Sequence, residues 1–427
     1  MKKISLLDKA AVLLVCLIIA IAVLYPQSFF SSDRLLGNKW LDPLAAMVVP
    51  LVLAGFAYLK TRRHDFRPGV VDALVLTFAA YLLAQNVTGP GALVSVKYVV
   101  LGVGIYYLTT LLTAREAKLR QILLYGIVIL TLLTCLYGLV EYALQDNIIF
   151  ASLISQSVPQ PLNGVHRIGS TLAHPVPFGV FLLQVIPFSA LLLMTSRRFW
   201  KRFLAISSIS LAVVALFLSY SKGSWIAGGV MAVGALLLTL RSPSRRAFLS
   251  AAVVGAILLA VFGVFWTTAV HEVDYRSSIS VDGRKAAWRG AIVGIEQHPF
   301  GVGLFQGSTE AKKHMDPFWR AVAGPQVAVD NYYLVLPLEA GILGFFIWIV
   351  MMFLIFREGI GVARVRGPSR PWALMALAGI AAICLNAFTV DAFLLWPNYL
   401  IFWMTAGLLH GISWGKAARE AGNDVAV

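Results

Sequence analysis

Charged side chains are scarce in this chain. Only 13% of its 427 residues are charged and 59% are hydrophobic, whereas a typical soluble domain carries about 25% charged residues. Acidic residues are the rarer kind, with 20 Asp and Glu against 35 Lys and Arg. This composition excludes an ordinary water-soluble domain and predicts a membrane protein.

Cysteine is also rare. Cys16, Cys135 and Cys384 all fall inside long apolar runs, where thiols usually only pack against their neighbours. No spacing of Cys or His residues is typical of a metal site. We therefore expect no disulfide, no metal ion and no other cofactor.

Long apolar runs recur from one end of the chain to the other. A helix needs about 20 apolar residues to cross about 30 Å of hydrocarbon. The first run has a basic start but no small-residue cleavage site, so we expect a retained helix rather than a signal peptide. The sequence predicts an all-α polytopic membrane protein with about 12 transmembrane helices, near residues 10–27, 42–59, 70–87, 96–113, 121–144, 175–194, 203–219, 224–240, 247–267, 332–355, 371–388 and 392–412.

The basic residues orient these predicted helices. Lys and Arg collect on the cytoplasmic loops of membrane proteins. If both termini are cytoplasmic, the tails and the inside loops hold 23 of the 35 Lys and Arg, in runs such as KTRRHDFR, RRFWKR and REGIGVARVRGPSR. The net charge of +15 is thereby explained without a nucleic-acid partner.

One outer loop is far longer than the others. It is about 60 residues long, and loops of this length are usually functional or disordered. Its stretch GRKAAWRGAIVGIEQ predicts an amphipathic helix, with an apolar stripe of Ala287, Ala291, Ile292 and Ile295, that lies at the membrane surface. The chain is thus divided into residues 1–267 with spans one to nine, a periplasmic loop at 268–329 with amphipathic helices, and residues 330–427 with spans ten to twelve and a cytoplasmic tail.

Cations and one carboxylate converge on the predicted outer face. Arg284 and Trp288 are four residues apart and share a helix face, and Asp330 precedes the tenth span. Other polar residues on this side are His166, Arg167, His174 and Arg289. Structural alternatives remain: Arg284, Lys285 and Arg289 could bind lipid head groups, the histidines could form interface hydrogen bonds, and Asp330 could cap a helix. As a set, they favour chemistry on a phosphate-bearing lipid.

Lys222 lies in a tight turn at the start of another predicted helix. Free backbone N–H groups at a helix N-terminus favour anions, and Ser219, Ser221 and Ser224 add hydroxyl groups. Lys222 could therefore hold a phosphate. Its structural alternative is an anchoring lysine that extends to the membrane interface.

Several ordered motifs resemble the O-antigen ligase and polymerase superfamily. They cover roughly residues 163–345, and the predicted topology extends the resemblance along the chain. Lysine at 222 stands where the family carries arginine, and aspartate at 330 stands where ligases usually carry histidine. Asp391 matches an acid that the ligases carry on the last outer turn. The motifs are YSKGSW around Lys222, Arg284 with Trp288, the turn Pro299, Gly301 and Gly303, then Asp330, Asn331, Tyr333 and Leu334, and finally Glu339, Gly341 and Gly344.

The resemblance implies a GT-C-like glycosyltransferase of the bacterial inner membrane, with its active site facing the periplasm. The implied donor is a glycan on undecaprenyl diphosphate, and the implied acceptor is lipid A-core or another glycan. The transfer is expected to invert the sugar and to need no metal. Polysaccharide polymerase and protein O-oligosaccharyltransferase remain enzyme alternatives, and a twelve-span transporter or flippase is the non-enzyme alternative, although no internal repeat or mid-membrane charge supports it.

The resemblance also implies roles for individual residues. Asp330 is the expected base for the acceptor hydroxyl. Arg284 and Lys222 are expected to stabilise the charge on the departing diphosphate. The residues expected to bind substrate are Arg289, Arg167, His166, His174, Asn331, Tyr333 and Asp391.

Overall fold

The computed structural model describes residues 5–24, 43–62, 69–86, 92–115, 117–147, 166–240, 274–322 and 328–423. Within these ranges, the regular structure consists of α-helices and one short 3-10 turn at Ser170–Leu172. The α-helices, numbered here in chain order, are α1 Leu6–Leu24, α2 Pro43–Arg62, α3 Val70–Asn86, α4 Ala92–Arg115, α5 Ala117–Leu144, α6 Pro175–Thr195, α7 Phe199–Leu218, α8 Lys222–Leu240, α9 Asp274–Gln297, α10 Gly307–Lys313, α11 Pro317–Val322, α12 Tyr332–Arg364, α13 Arg370–Asn386 and α14 Trp396–Asn423.

A helix occupies each predicted span that the structure describes. Helices α1 to α8 and α12 to α14 overlap eleven of the predicted spans, and the ninth, 247–267, lies outside the described residues. Among the described residues, six helices are long and apolar enough to cross a membrane, namely α1, α4 (Ala92–Ala114), α5, α6, α7 and α12. The chain is therefore an α-helical polytopic membrane protein.

Large apolar side chains cover much of the outside of the bundle. Phe56, Ile226, Phe346 and Phe353 are all exposed, although each lies on a helix that coincides with a predicted span. Continuous apolar surface of this kind is rare on soluble monomers. It fits helices whose outer faces contact lipid, where all backbone polar groups must be satisfied within the protein.

Helices α4 and α14 approach each other closely. Gly407 packs against the carbonyl of Tyr106, and one turn later Gly411 packs against Thr110 and Thr113. The Thr110 hydroxyl also donates to the carbonyl of Gly407 at 3.1 Å. Small residues four apart allow such contact between membrane helices, because no side chain separates the backbones.

Helix α12 is interrupted near its start. Gly341 has a φ of +71° and a ψ of 172°, a conformation that glycine adopts at little cost. The turn around Gly301 inserts at this break. The backbone N–H of Val302 donates to the carbonyl of Leu338 at 2.9 Å. The backbone N–H of Ile342 donates to the carbonyl of Pro299, also at 2.9 Å. The backbone groups freed by the break are thereby paired, and the 299–303 turn is anchored to α12.

The amphipathic stretch predicted in the outer loop forms α9, but its apolar stripe packs on protein. Ala287 and Ala291 are buried, and Ala291 packs with Val335 and Leu338 of α12. Ile292 remains exposed. Ala287 and Ala291 therefore pack on protein and not on lipid, because the small alanine side chains let α9 approach the rest of the protein.

Candidate functional site

Helix α9 brings Arg284 to Asp330. The Nε atom of Arg284 is 3.2 Å from Oδ2 of Asp330. One turn later, the indole N–H of Trp288 donates to the carbonyl of Val329 at 2.8 Å. Both residues of the Arg-x-x-x-Trp motif thus hold the segment just before α12. The pair remains open to solvent, since the side chains of Arg284 and Asp330 are 45% and 28% exposed.

Asp330 does not cap α12. The N-cap is Asn331, whose side-chain oxygen accepts from the backbone N–H of Tyr333 at 3.0 Å. The alternative that Asp330 serves as the cap is therefore wrong, because the helix begins one residue later. Asp330 instead has a φ of +50°, an uncommon conformation for a residue other than glycine. The Asp330 carboxylate pairs with Arg284 and makes no capping hydrogen bond to α12.

A second carboxylate lies beside this segment. The backbone N–H of Asn331 hydrogen-bonds to the Asp391 carboxylate, and Oδ1 of Asp391 is buried without a hydrogen-bond partner among the described residues. Desolvation, and then the charge of Asp330, raises the pKa of Asp391 to about 7. Desolvation also raises the pKa of Asp330, although Arg284 opposes the shift. The charge of Asp330 therefore disfavours ionisation of the neighbouring Asp391.

Arg167 is held at the end of α7. Its Nε and Nη2 atoms donate to the carbonyls of Ser219 and Tyr220 at 3.2 and 3.3 Å, so a cation lies where the helix leaves its last carbonyls unpaired. Desolvation, and then the charge of Arg284, lowers the pKa of Arg167. The positive charge of Arg284 is therefore close enough to Arg167 to disfavour its protonated form.

His174 is the N-cap of α6. Its Nδ1 atom accepts from the backbone N–H of Val176 at 3.2 Å. Desolvation, and then the nearby charge of Arg167, lowers the pKa of His174 to about 4. His174 is therefore a neutral neighbour of the cationic cluster, with one ring nitrogen already used by the cap.

Lys222 begins α8 and is exposed. Two residues before Lys222, the carbonyl of Tyr220 accepts a hydrogen bond from Arg167. One residue after Lys222, Gly223 packs against Thr389, in the turn that carries Asp391. Lys222 is thus at the edge of the cluster.

The serines near Lys222 do not add hydroxyls to the site. The hydroxyl groups of Ser221 and Ser224 bond each other at 2.9 Å, and Ser224 donates to Oδ1 of Asn386 at 3.1 Å. Ser219 is buried and donates to the carbonyl of Leu216. Their hydroxyls tie helix ends together, so the expectation that they add hydroxyl groups to a phosphate site at Lys222 is not supported.

Three other expected substrate-binding residues have different surroundings. His166 is buried, with Nε2 3.6 Å from the Glu141 carboxylate. The Tyr333 hydroxyl donates to the carbonyl of Cys384 at 2.9 Å, which ties α12 to α13. Arg289 is exposed on α9, and no hydrogen bond or ion pair joins it to another described residue.

Glu339 supports the site from behind. Its carboxylate is buried and accepts from the backbone N–H of Gly307 at 3.0 Å. Helix α10 therefore starts from a contact with α12, and α10 packs in turn against α9, which carries Arg284. The sequence motif predicted that Glu339 lies near the start of a helix. It could not predict the bond to Gly307, which is 32 residues away in the chain.

The arrangement combines a proton acceptor with anion-binding cations. Asp330 and Asp391 can exchange a proton with a hydroxyl group, and Arg284 and Arg167 can stabilise an anion beside them. Within the described ranges, no group of three or more His, Cys, Asp or Glu side chains is placed to hold a metal ion.

Fold and site together define a helical membrane protein with a carboxylate and arginine cluster at one end of its bundle. Residues 207–349 match the family model described as O-antigen ligase. The matched segment is about a third of the chain, and it contains Lys222, Arg284 and Asp330. The match confirms the resemblance to the O-antigen ligase superfamily and supports an enzyme of the ligase or polymerase type. A comparison with curated proteins finds no match.

Proposed function

We propose that this protein transfers a glycan from undecaprenyl diphosphate to a periplasmic acceptor, with ligation of O-antigen to lipid A-core as the favoured reaction. The observation that carries the proposal is the Arg284 and Asp330 pair, at 3.2 Å, inside the segment that matches the O-antigen ligase family. Lipid-linked glycan and acceptor are the general substrates of that family.

The proposed reaction is a single displacement at the anomeric carbon. Asp330 accepts the proton of the acceptor hydroxyl while the new carbon–oxygen bond forms on the face opposite the diphosphate. The bond between the sugar and the diphosphate breaks, and its electron pair leaves with the lipid diphosphate. Because attack and departure occur on opposite faces, the anomeric configuration inverts.

Cations stabilise the departing diphosphate in this scheme. Arg284 is exposed and Arg167 is half-buried, the charge of Arg284 lowers the pKa of Arg167, and Lys222 is exposed. Preorganised donors of this kind stabilise developing negative charge in place of a metal ion. Asp391, with a pKa raised to about 7, is a second group that can hold a proton beside Asp330.

The proposal includes an orientation for the chain. The basic inside loops favour twelve spans in a bacterial inner membrane, with both termini in the cytoplasm and residues 268–329 in the periplasm. A GT-C-like arrangement is part of the proposal, as is the division at residues 267 and 330.

A polymerase is the second candidate, because Asp330 stands where the ligases usually carry histidine. Deletion of the gene separates the two enzymes on a polysaccharide gel. A ligase deletion leaves free polymer without capped lipopolysaccharide, whereas a polymerase deletion leaves lipopolysaccharide capped with one repeat unit.

A transfer assay tests the enzyme class itself. Purified protein is incubated with radiolabelled lipid-linked glycan and candidate acceptors: lipid A-core, a second lipid-linked glycan, or a protein. We expect label on an acceptor glycan. Label on protein would identify an O-oligosaccharyltransferase, and movement of the donor across liposomes without transfer would identify a flippase.

A further inference from the structure

A basic cavity lies between α5, α6 and α7. Its volume is about 260 Å³, and its lining includes Tyr125, Thr195, Arg197, Arg198 and Lys201. A water molecule takes up about 30 Å³ in the liquid, so the cavity has room for a phosphate group with a short polar substituent. Three cations therefore surround one recess.

The cations of this cavity lack acidic partners. Among the described residues, no hydrogen bond or ion pair joins Arg197, Arg198 or Lys201 to a carboxylate. The Nζ atom of Lys201 lies 4.9 Å from the ring centroid of Tyr125 and 5.4 Å from that of Trp200. These aromatic contacts hold the ammonium group beside the cavity without neutralising its charge.

The cavity also receives the start of α7. Arg198 is the N-cap of this 20-residue helix, and its side chain makes no capping hydrogen bond. The first N–H groups of a helix have no partner within the helix and favour an anion. The positive end of α7 thus adds to the three side-chain charges.

The cavity lies at the opposite end of the bundle from the candidate site. Helix α6 starts next to His174 and ends at Thr195, and α7 returns from Phe199 to Leu218 beside Arg167. Each helix has about 20 residues and is therefore about 30 Å long, which is the thickness of the hydrocarbon core. The cavity and the site therefore serve opposite faces of the membrane.

Aromatic side chains beside the cavity favour a lipid as its ligand. Phe199, Trp200 and Phe203 are exposed by 84%, 53% and 63%. Exposed aromatic residues next to cations are typical of the head-group region of a bilayer, and basic pockets between membrane helices bind anionic lipid head groups. Acyl chains can pack on the exposed rings of Phe199 and Phe203, whereas a soluble phosphate offers them no apolar contact.

We propose that the cavity of Arg197, Arg198 and Lys201 binds the phosphate group of an anionic phospholipid, in the leaflet opposite the candidate site. The phosphate contacts the three cations and the N-terminus of α7, and the acyl chains lie along Phe199 and Phe203. This site is separate from the proposed transfer reaction and does not depend on it.

The test uses the full-length protein in neutral detergent, with phosphatidylglycerol as the probe. We expect the lipid to raise the Tm of the wild type and to remain bound in native mass spectra. In the variant R197Q/R198Q/K201Q the apparent affinity falls by roughly ten-fold or more, because the charge-assisted contacts to the phosphate are lost. The matched control, R364Q/R366Q/R370Q, removes three exposed cations at the end of α12, in the following loop and at the start of α13, and keeps the wild-type response.

Two further ligands distinguish a lipid phosphate from a free one, and a second variant tests the site if the triple variant does not fold. Diacylglycerol, which lacks phosphate, is expected to give no shift. Sodium phosphate producing the full shift would overturn the assignment to lipid, and an unchanged response of the pocket variant would overturn the site. Thr195→Glu puts a carboxylate among the cations without removing any, and it is expected to weaken phosphatidylglycerol binding even if the triple variant does not fold.

Discussion

The Nε atom of Arg284 lies 3.2 Å from Oδ2 of Asp330, which joins the outer-loop helix to the entrance of α12. Trp288, one turn along α9, holds the carbonyl of the preceding Val329. Because both partners remain partly exposed, the pair contributes little to stability. Its position beside Asp391 and Arg167 makes it the centre of the proposed reaction.

Arg284→Ala is expected to reduce transfer by about 10²–10³-fold, the usual loss when one donor to a developing anion is removed. Arg284→Lys should restore only part of the rate, because lysine lacks the planar fork of arginine. Turnover with labelled donor measures both. Lys285→Ala is the control, since Lys285 is exposed and pairs with Asp282. Wild-type turnover in Arg284→Ala would mean that Arg284 only binds head groups.

Asp330→Asn is expected to lose nearly all transfer while still folding and binding the donor. Asparagine tolerates the left-handed conformation of residue 330, and the cap at Asn331 is untouched. Asp330→His supplies a base with a reference pKa nearer neutral, so partial activity with a pH profile shifted upward is expected. Ordinary kinetics in Asp330→Asn would exclude Asp330 as the base and leave Asp391 as the next candidate.

Asp391 is expected to make stability depend on pH. Its pKa is raised from 3.8 to about 7 in the folded protein, so the folded state holds the proton more tightly than the unfolded chain. Ionisation therefore favours unfolding, and stability falls as the pH rises from about 4 to above 7. Tm values of wild type and Asp391→Asn between pH 4 and 8 test this, because the variant should lack that part of the decline. Parallel curves for the two proteins would contradict it.

Gly341→Ala is expected to destabilise the protein and detach the 299–303 turn from α12. A Cβ at this position would collide with the backbone of Phe300, and the φ of +71° disfavours alanine. Thermal unfolding and proteolysis of the outer loop measure the effect. Gly361→Ala, later in the same helix, has open space around its Cβ and should be neutral or slightly stabilising. Equal behaviour of the two variants would show that the break is not required.

Ser308→Cys tests the proposed orientation. We expect an impermeant thiol reagent to label this variant in intact spheroplasts, because residues 268–329 are proposed to be periplasmic. Ser369→Cys, in the predicted cytoplasmic loop between α12 and α13, should react only after lysis. The reverse pattern would invert the proposed topology and the proposed mechanism with it.

Much of the helical fold was readable from local sequence. An apolar run of about 20 residues leaves few options other than a helix in lipid, because unpaired backbone groups are too costly there. The spans that overlap α1 and α12 were predicted on this ground, and both helices are long and apolar enough to cross a membrane. The Arg-x-x-x-Trp spacing likewise placed Arg284 and Trp288 on one face, because residues four apart are neighbours on any helix.

The sequence by itself determined the class of the protein, the positions of most helices and the residues from which a site could be assembled, because hydropathy and helical spacing act over a few turns. Tertiary structure decided which of those residues meet. It paired Arg284 with Asp330, brought Asp391 to Asn331 and directed His166 to Glu141. It also made Asn331 the N-cap of α12. The helix is interrupted at Gly341, where the turn around Gly301, 40 residues earlier in the chain, hydrogen-bonds to it. These outcomes depend on contacts between distant segments, where packing and hydrogen-bond pairing, rather than local propensity, select one arrangement.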